Sequence, residues 1–202
     1  MDIDFSALSP RDAYQWMIHT ILPRPIAWVS TLDLRGRTNL APFSFFQGIA
    51  ANPPTLMFVP VNDRRGMKKD TVRNIEEIPE FVINVVSYAQ AKVMNDTSAT
   101  LPYGESEFKA FGVESAAASR VRPLRVAQAP VAFECLLDRI VKIGEGPLAA
   151  NVVFGRIQLV HVRDDVLGEN GLPDPAKLDL VGRLGGSNYA TTREIFSLIR
   201  PE

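Results

Sequence analysis

The chain has 202 residues, with 22 lysines and arginines against 23 aspartates and glutamates and a net charge of −1. The charges are scattered, so there is no basic stripe to hold a nucleic-acid backbone; no apolar run is long enough to span a bilayer, and the N-terminus is acidic where a secretory signal needs basic residues. This length predicts one domain, residues 1–202, in the cytosol, with a core large enough to need neither disulfides nor a structural metal.

Ser9, Pro10 and Asp12 predict a helix start: a hydroxyl to cap free amides, a pre-set φ at the first helical position, and an acid in the positive first turn. Tyr14, Met17, Ile18 and Ile21 follow at helical spacing and predict a stripe facing the core, and Pro23 and Pro25 end the helix. Runs rich in β-branched and aromatic residues then predict strands over 26–31, 55–61, 81–87, 131–141 and 152–163. In the fourth run Val131, Phe133, Cys135 and Leu137 alternate with Glu134 and Asp138, which predicts one buried face and one wet face. Regular helices do not separate most of these runs. The expected architecture is therefore mainly β with peripheral helices, an antiparallel sheet closed into a barrel, with short helices over 70–78 and 89–95 outside it or at its ends. Residues 167–179, dense in glycine, proline and acids, predict a surface loop.

Several chemistries lack parts. His19 and His161 are the only histidines, and with the single Cys135 they cannot build a soft-ligand metal site of usual spacing. No G-x-S-x-G elbow surrounds any serine, and Cys135 falls mid-strand among apolar neighbours, where a thiol is a small hydrophobe. The glycines of segment 144–149 mimic a dinucleotide fingerprint, but that motif must open a helix, whereas Pro147 and the run from Val152 lead into a strand. The segment is expected to be a hairpin turn, and no separate nicotinamide-binding domain is visible.

Three features suit a ligand. Lys68 and Lys69 precede Asp70 and Thr71, which can cap a helix continuing through Val72, Asn74 and Ile75. A phosphate would fit there, where free amides and a helix dipole meet lysine charge and a threonine hydroxyl. In segment 39–46 three aromatics join small and polar residues, and Pro42, which cannot donate to a sheet ladder, leaves neighbouring amides free to face a ligand. Segment 182–189 carries Arg183 and Tyr189 on a glycine-rich turn. Each has a plainer reading: a solvated lysine pair, core positions for at least two of Phe43, Phe45 and Phe46, and a mere loop.

The order of motifs resembles the flavin reductase-like family of FMN-binding split barrels. The matching stretches are RPIAWVST at 24–31, Gly36, NLAPFSFF at 39–46, Pro53 and Pro54, KDT at 69–71 with Asn74, FVIN at 81–84, and GRLGG at 182–186 with Tyr189. The resemblance implies a homodimer holding FMN in a groove near the subunit interface. It makes Ser30 and Thr31 candidate contacts, sets Asn39, Ala41, Pro42, Phe43, Ser44 and Phe45 along the flavin ring and ribityl chain, and puts Lys69 and Thr71 on the phosphate. Arg183 and Tyr189 join the site of one subunit or the other, and Asp70 is a cap rather than a ligand. The implied activity is reduction of flavin by NADH or NADPH, feeding a partner monooxygenase. The alternatives are a flavoprotein reducing another small acceptor and a non-catalytic electron carrier.

Overall fold

The computed structural model describes residues 1–201. Its centre is a seven-stranded antiparallel sheet in the order β2-β1-β5-β8-β9-β4-β3. The strands are β1 (Ala27–Leu32), β2 (Thr38–Phe43), β3 (Phe46–Ala51), β4 (Pro54–Phe58), β5 (Glu80–Val85) and the long hairpin of β8 (Val131–Ile143) and β9 (Ala150–Val162). Two short pairs lie apart from it, β6 (Ser115–Ala116) with β7 (Arg125–Val126) and β10 (Val181–Arg183) with β11 (Tyr189–Thr191). The helices α1 (Pro10–Thr20), α2 (Asp70–Glu77) and α3 (Ala91–Asp96) and the single turns α4 (Glu107–Ala110) and α5 (Pro175–Leu178) surround the sheet. Among the described residues no helix is long and apolar enough to cross a membrane.

The mainly β, antiparallel architecture agrees with the sequence, but the hydrogen-bonded ladder does not close. β2 and β3 are its two edges, although only Ser44 and Phe45 separate them. On the outer side of β2 the Leu40 N–H is already given to the Glu107 carboxylate at 2.8 Å. Pro42, two residues on and facing the same way, has no N–H to give. That side of β2 therefore cannot accept another strand. Side chains bridge the opening instead: the Phe43 and Phe58 rings lie 5.4 Å apart, and so do those of Phe58 and Phe81.

The barrel interior holds Val29, Phe58, Phe81, Ile83, Cys135 and Val153, with Ile75 of α2 among them. Phe43 and Phe46 pack against this cluster, while Phe45 does not. At Gly155 the Phe81 ring comes so close that an added Cβ would lie 2.3 Å from its Cζ, which is why a glycine stands in the middle of β9. On the opposite face Trp28 and Leu40 pack with Met94 of α3 and Phe108 of α4, and the Trp28 indole donates to Thr97 Oγ1 at 2.9 Å. β1 is buried on both faces from Ala27 to Thr31, so its residues do not alternate between apolar and polar, and its two hydroxyls, Ser30 and Thr31, are buried with hydrogen-bond partners.

Two further expectations are corrected. Only Ile18 of α1 is buried, whereas Tyr14, Met17 and Ile21 are 39%, 38% and 52% exposed, because this helix lies across the outside of the sheet. Glu134, expected on a wet face, is completely buried: the segment before β7 folds over it, and the Ser119, Arg120 and Val121 amides donate to its carboxylate at 2.7, 2.5 and 3.2 Å, joined by His161 Nε2. The turn at 144–149 is the β8–β9 hairpin connection, with Gly144 and Gly146 at φ 77° and 71°. Cys135 is buried, and desolvation holds its thiol well above the ordinary value.

Candidate functional site

Amide side chains tie α2 to β2 and to the neighbouring β1. Asn39 Nδ2 donates to Thr71 Oγ1 at 3.0 Å, and Asn74 Nδ2 donates to Thr31 Oγ1 at 2.9 Å. Together with the 63–69 segment and the 97–103 loop they enclose a cleft of about 690 Å³, inside the range usual for small-molecule sites.

The start of α2 differs from its expected form. Neither Asp70 nor Thr71 caps it: Lys69 holds the cap position without a side-chain hydrogen bond, and Asp70 and Thr71 are the first two helical residues. Their N–H groups therefore have no partner among the described residues, at the positive end of the helix. The Thr71 hydroxyl, almost fully buried, accepts from Asn39 and keeps its own proton unspent. The two lysines divide. Lys68 is committed to Glu76 at 2.5 Å, while Lys69 is exposed and in no ion pair among the described residues.

Family identity rests on more than this geometry. A model of the flavin reductase like domain matches residues 18–178. The chain belongs to that family. An uncharacterized protein of Deinococcus radiodurans is 38% identical over 98% of this chain and 88% of its own length. Among solved structures, nitrilotriacetate monooxygenase component B from Bacillus cereus is similar with a TM-score of 0.92, at 31% identity over 98% of both chains. The 2-nitrobenzoate 2-nitroreductase NbaA of Pseudomonas fluorescens is similar with a TM-score of 0.88, at 29% identity over 100% of this chain and 96% of that one. This flavin reductase-like chain thus has a flavin-binding fold and belongs among flavin-related oxidoreductases.

The twelve residues singled out in the sequence separate into three places. Asn39, Ala41, Pro42, Phe43, Lys69 and Thr71 line the main cleft. Ser44, Arg183 and Tyr189 line a smaller recess of about 290 Å³, which also touches Pro42 and Phe43. There the Arg183 guanidinium lies 4.5 Å over the Tyr189 ring, and the Tyr189 hydroxyl donates to Asn95 Oδ1 at 3.0 Å. Ser30, Thr31 and Phe45 line neither. Ser30 Oγ donates to the Leu124 carbonyl, Thr31 Oγ1 is taken by Asn74, and Phe45 packs beside Tyr14 and under the Arg24 guanidinium.

Residues that motif reading passed over also converge on the main cleft. Asp63 accepts from the Arg65 and Met67 amides, both at 2.8 Å, and so fixes a tight turn that sets Arg64 and Arg65 at the rim. The Met67 N–H is the main reason its carboxyl lies below the ordinary range, against opposing burial, with the Arg65 N–H adding to it. The signal for this turn, an aspartate three residues before Gly66 at φ 78°, was present in the sequence. Tyr103 stands between the Arg37 and Arg73 guanidiniums, 5.2 and 5.5 Å from its ring centre. Glu107 reaches the cleft from α4 and is held above the ordinary glutamate value by burial, which its bond from Leu40 only partly offsets.

The residues present fit FMN. Two free helix amides, a lysine in no ion pair among the described residues and a hydroxyl with a proton to give are donors of the kind a phosphate needs. Beside them runs an edge strand that keeps one side unpaired.

Proposed function

We propose that the main cleft binds FMN and that the chain is an oxidoreductase accepting hydride from NADH or NADPH. The observation that carries this reading is the uncapped start of α2 beside the open edge of β2. Lys69, Thr71 and the Asp70 and Thr71 amides hold the phosphate, and Asn39, Ala41, Pro42 and Phe43 lie along the rest of the cofactor. Arg64 and Arg65 add positive charge at the rim.

Bound FMN supplies the electron-pair chemistry. The protein's part is to orient the cofactor and leave one face reachable. Phe43 and Ser44 on one side and Tyr189 on the other form the wall against which a nicotinamide would sit. Neither histidine serves as a proton donor: His161 is spent on Glu134, and His19 Nδ1 bonds the Gln15 carbonyl at 2.8 Å while its ring rests against Gly185.

The working unit in this reading is a homodimer. The isolated chain exposes 12109 Å², about 2,700 Å² more than the about 9,400 Å² expected of a compact 22.3 kDa monomer. An excess of this size exceeds the about 800 Å² that a standard interface removes from each copy and fits only a large, obligate one. The similarity to a monooxygenase component supports delivery of reduced flavin to a partner monooxygenase. The similarity to a nitroreductase supports the alternative in which a small acceptor is reduced in place.

The deciding experiment is the visible spectrum of the purified protein with FMN, before and after NADH or NADPH in the absence of oxygen. Bleaching of the flavin band faster than with free FMN is expected. An unchanged rate with both donors would leave a flavin-binding protein without this activity.

A further inference from the structure

The chain leaves its body through a firmly rooted arm. Thr192 N–H donates to the Leu180 carbonyl at 3.1 Å, and the Arg193 guanidinium donates to both Asp179 carboxylate oxygens at 2.7 and 2.9 Å while lying 4.3 Å over the Tyr88 ring. Beyond Arg193 the anchoring stops. From Glu194 to Pro201 there is no hydrogen bond to the rest of the chain among the described residues, and every residue is exposed.

The composition of this arm is wrong for a solvated tail. Segments that stay free in water are poor in large apolar groups, yet four of the five residues at 195–199 are large and apolar. Ile195, Phe196, Leu198 and Ile199 are 57%, 85%, 86% and 98% exposed. Eight residues beyond the root reach roughly 26 Å when extended, enough to cross a subunit boundary.

The surface that would receive it is on the same molecule. β3 is an edge strand exposed from Gln47 to Ala51, including Ile49, and α1 leaves Tyr14, Met17 and Ile21 uncovered. Each copy therefore carries both an apolar arm and uncovered apolar faces, the self-complementary arrangement that a two-fold dimer needs. Charge gives no cause for repulsion, since a copy carries a net charge of only −1.

We infer that residues 194–201 are an exchange arm, whose 195–199 segment packs onto the second copy of the chain in the dimer. This rests on the homodimer reading above. It gives the arm a job in assembly and places its root, next to β11 and Tyr189, beside the smaller recess of the site.

The test uses the full chain loaded with FMN and carrying a photo-crosslinking phenylalanine analogue at position 196. Irradiation is expected to yield a covalent species of twice the chain's mass. In parallel, sedimentation of a Phe196→Asp, Ile199→Asp double variant, altered only at exposed positions, is expected to show at least a hundredfold weaker dimer. Crosslinking confined to single chains, or a double variant that dimerises as tightly as the parent, would overturn the arm while leaving the dimer standing. A parent chain that sediments as a monomer at micromolar concentration would instead remove the homodimer reading and the arm with it.

Discussion

Asn39 of β2 donates its side-chain amide to the Thr71 hydroxyl at the start of α2, across 3.0 Å and 32 residues of sequence. The bond joins the two halves of the cleft and, because the hydroxyl oxygen accepts it, leaves the hydroxyl proton available to another acceptor. Loss of Lys69 or of that hydroxyl should therefore act on the phosphate end of the ligand alone. Lys69→Ala is expected to weaken FMN about ten- to hundredfold, the value of about 1.5 to 3 kcal/mol for a charge-assisted contact, and Thr71→Val somewhat less. Riboflavin, which lacks the phosphate, should bind both variants nearly as it binds the parent. Titration by flavin fluorescence checks this, and equal losses for the two flavins would take α2 out of the phosphate site.

The bond from Leu40 N–H to Glu107 makes a second prediction, this time about pH. Burial raises the Glu107 carboxyl above its ordinary value, so the folded state favours the protonated form. The stability tied to that form is complete below the unfolded pKa and is lost as pH rises through the raised folded one. Glu107→Gln keeps an acceptor for Leu40 without the charge, so it should gain on the parent in thermal unfolding as pH goes from about 5 to about 8. Glu107→Leu leaves the Leu40 N–H without a partner and should cost about 1 to 3 kcal/mol relative to the glutamine variant at any pH. A parent and a glutamine variant with parallel pH profiles would contradict the assignment.

Glu134 has the opposite sign. Burial raises its carboxyl, but the Ser119 amide, His161 and the Arg120 amide outweigh that and hold it below the ordinary range. Its contribution is thus present above the unfolded pKa and lost as pH falls through the lowered folded value. Glu134→Gln turns an NH2 group towards amide donors and should destabilise by about 1 to 3 kcal/mol. His161→Ala, which leaves the three amides in place, should cost less and should not lower NAD(P)H turnover by the roughly hundredfold that losing a general acid or base brings. A turnover collapse in a folded, FMN-loaded His161 variant would show that a proton donor had been overlooked.

Gly155 and Phe81 test the core. Gly155→Ala forces a methyl against the Phe81 ring and is expected to cost about 1 to 3 kcal/mol, as overpacking does. Pairing it with Phe81→Leu should recover part of that loss, so the two changes together should cost less than their sum. Strict additivity in denaturant unfolding would mean that the ring moves aside freely.

What the sequence determined by itself is whatever depends on near neighbours. Ser9 and Pro10 opening α1, a helix beginning at Asp70, the period of β8 and the turn between β8 and β9 are local physics, and all were legible along the chain. Tertiary structure decided the rest. The alternation in β8 could say that Glu134 faces away from the barrel interior, but not that residues 119–121 would fold over it and replace water. Pro42 could forbid one ladder bond, but the opening of the barrel also needed Glu107, 67 residues from Leu40, to take the neighbouring amide. Arg64, Arg65 and Tyr103 reach the cleft only because a turn and a distant loop are packed together. Such contacts join residues far apart in sequence, and their free energy comes from desolvation and packing that exist only once the chain has closed on itself.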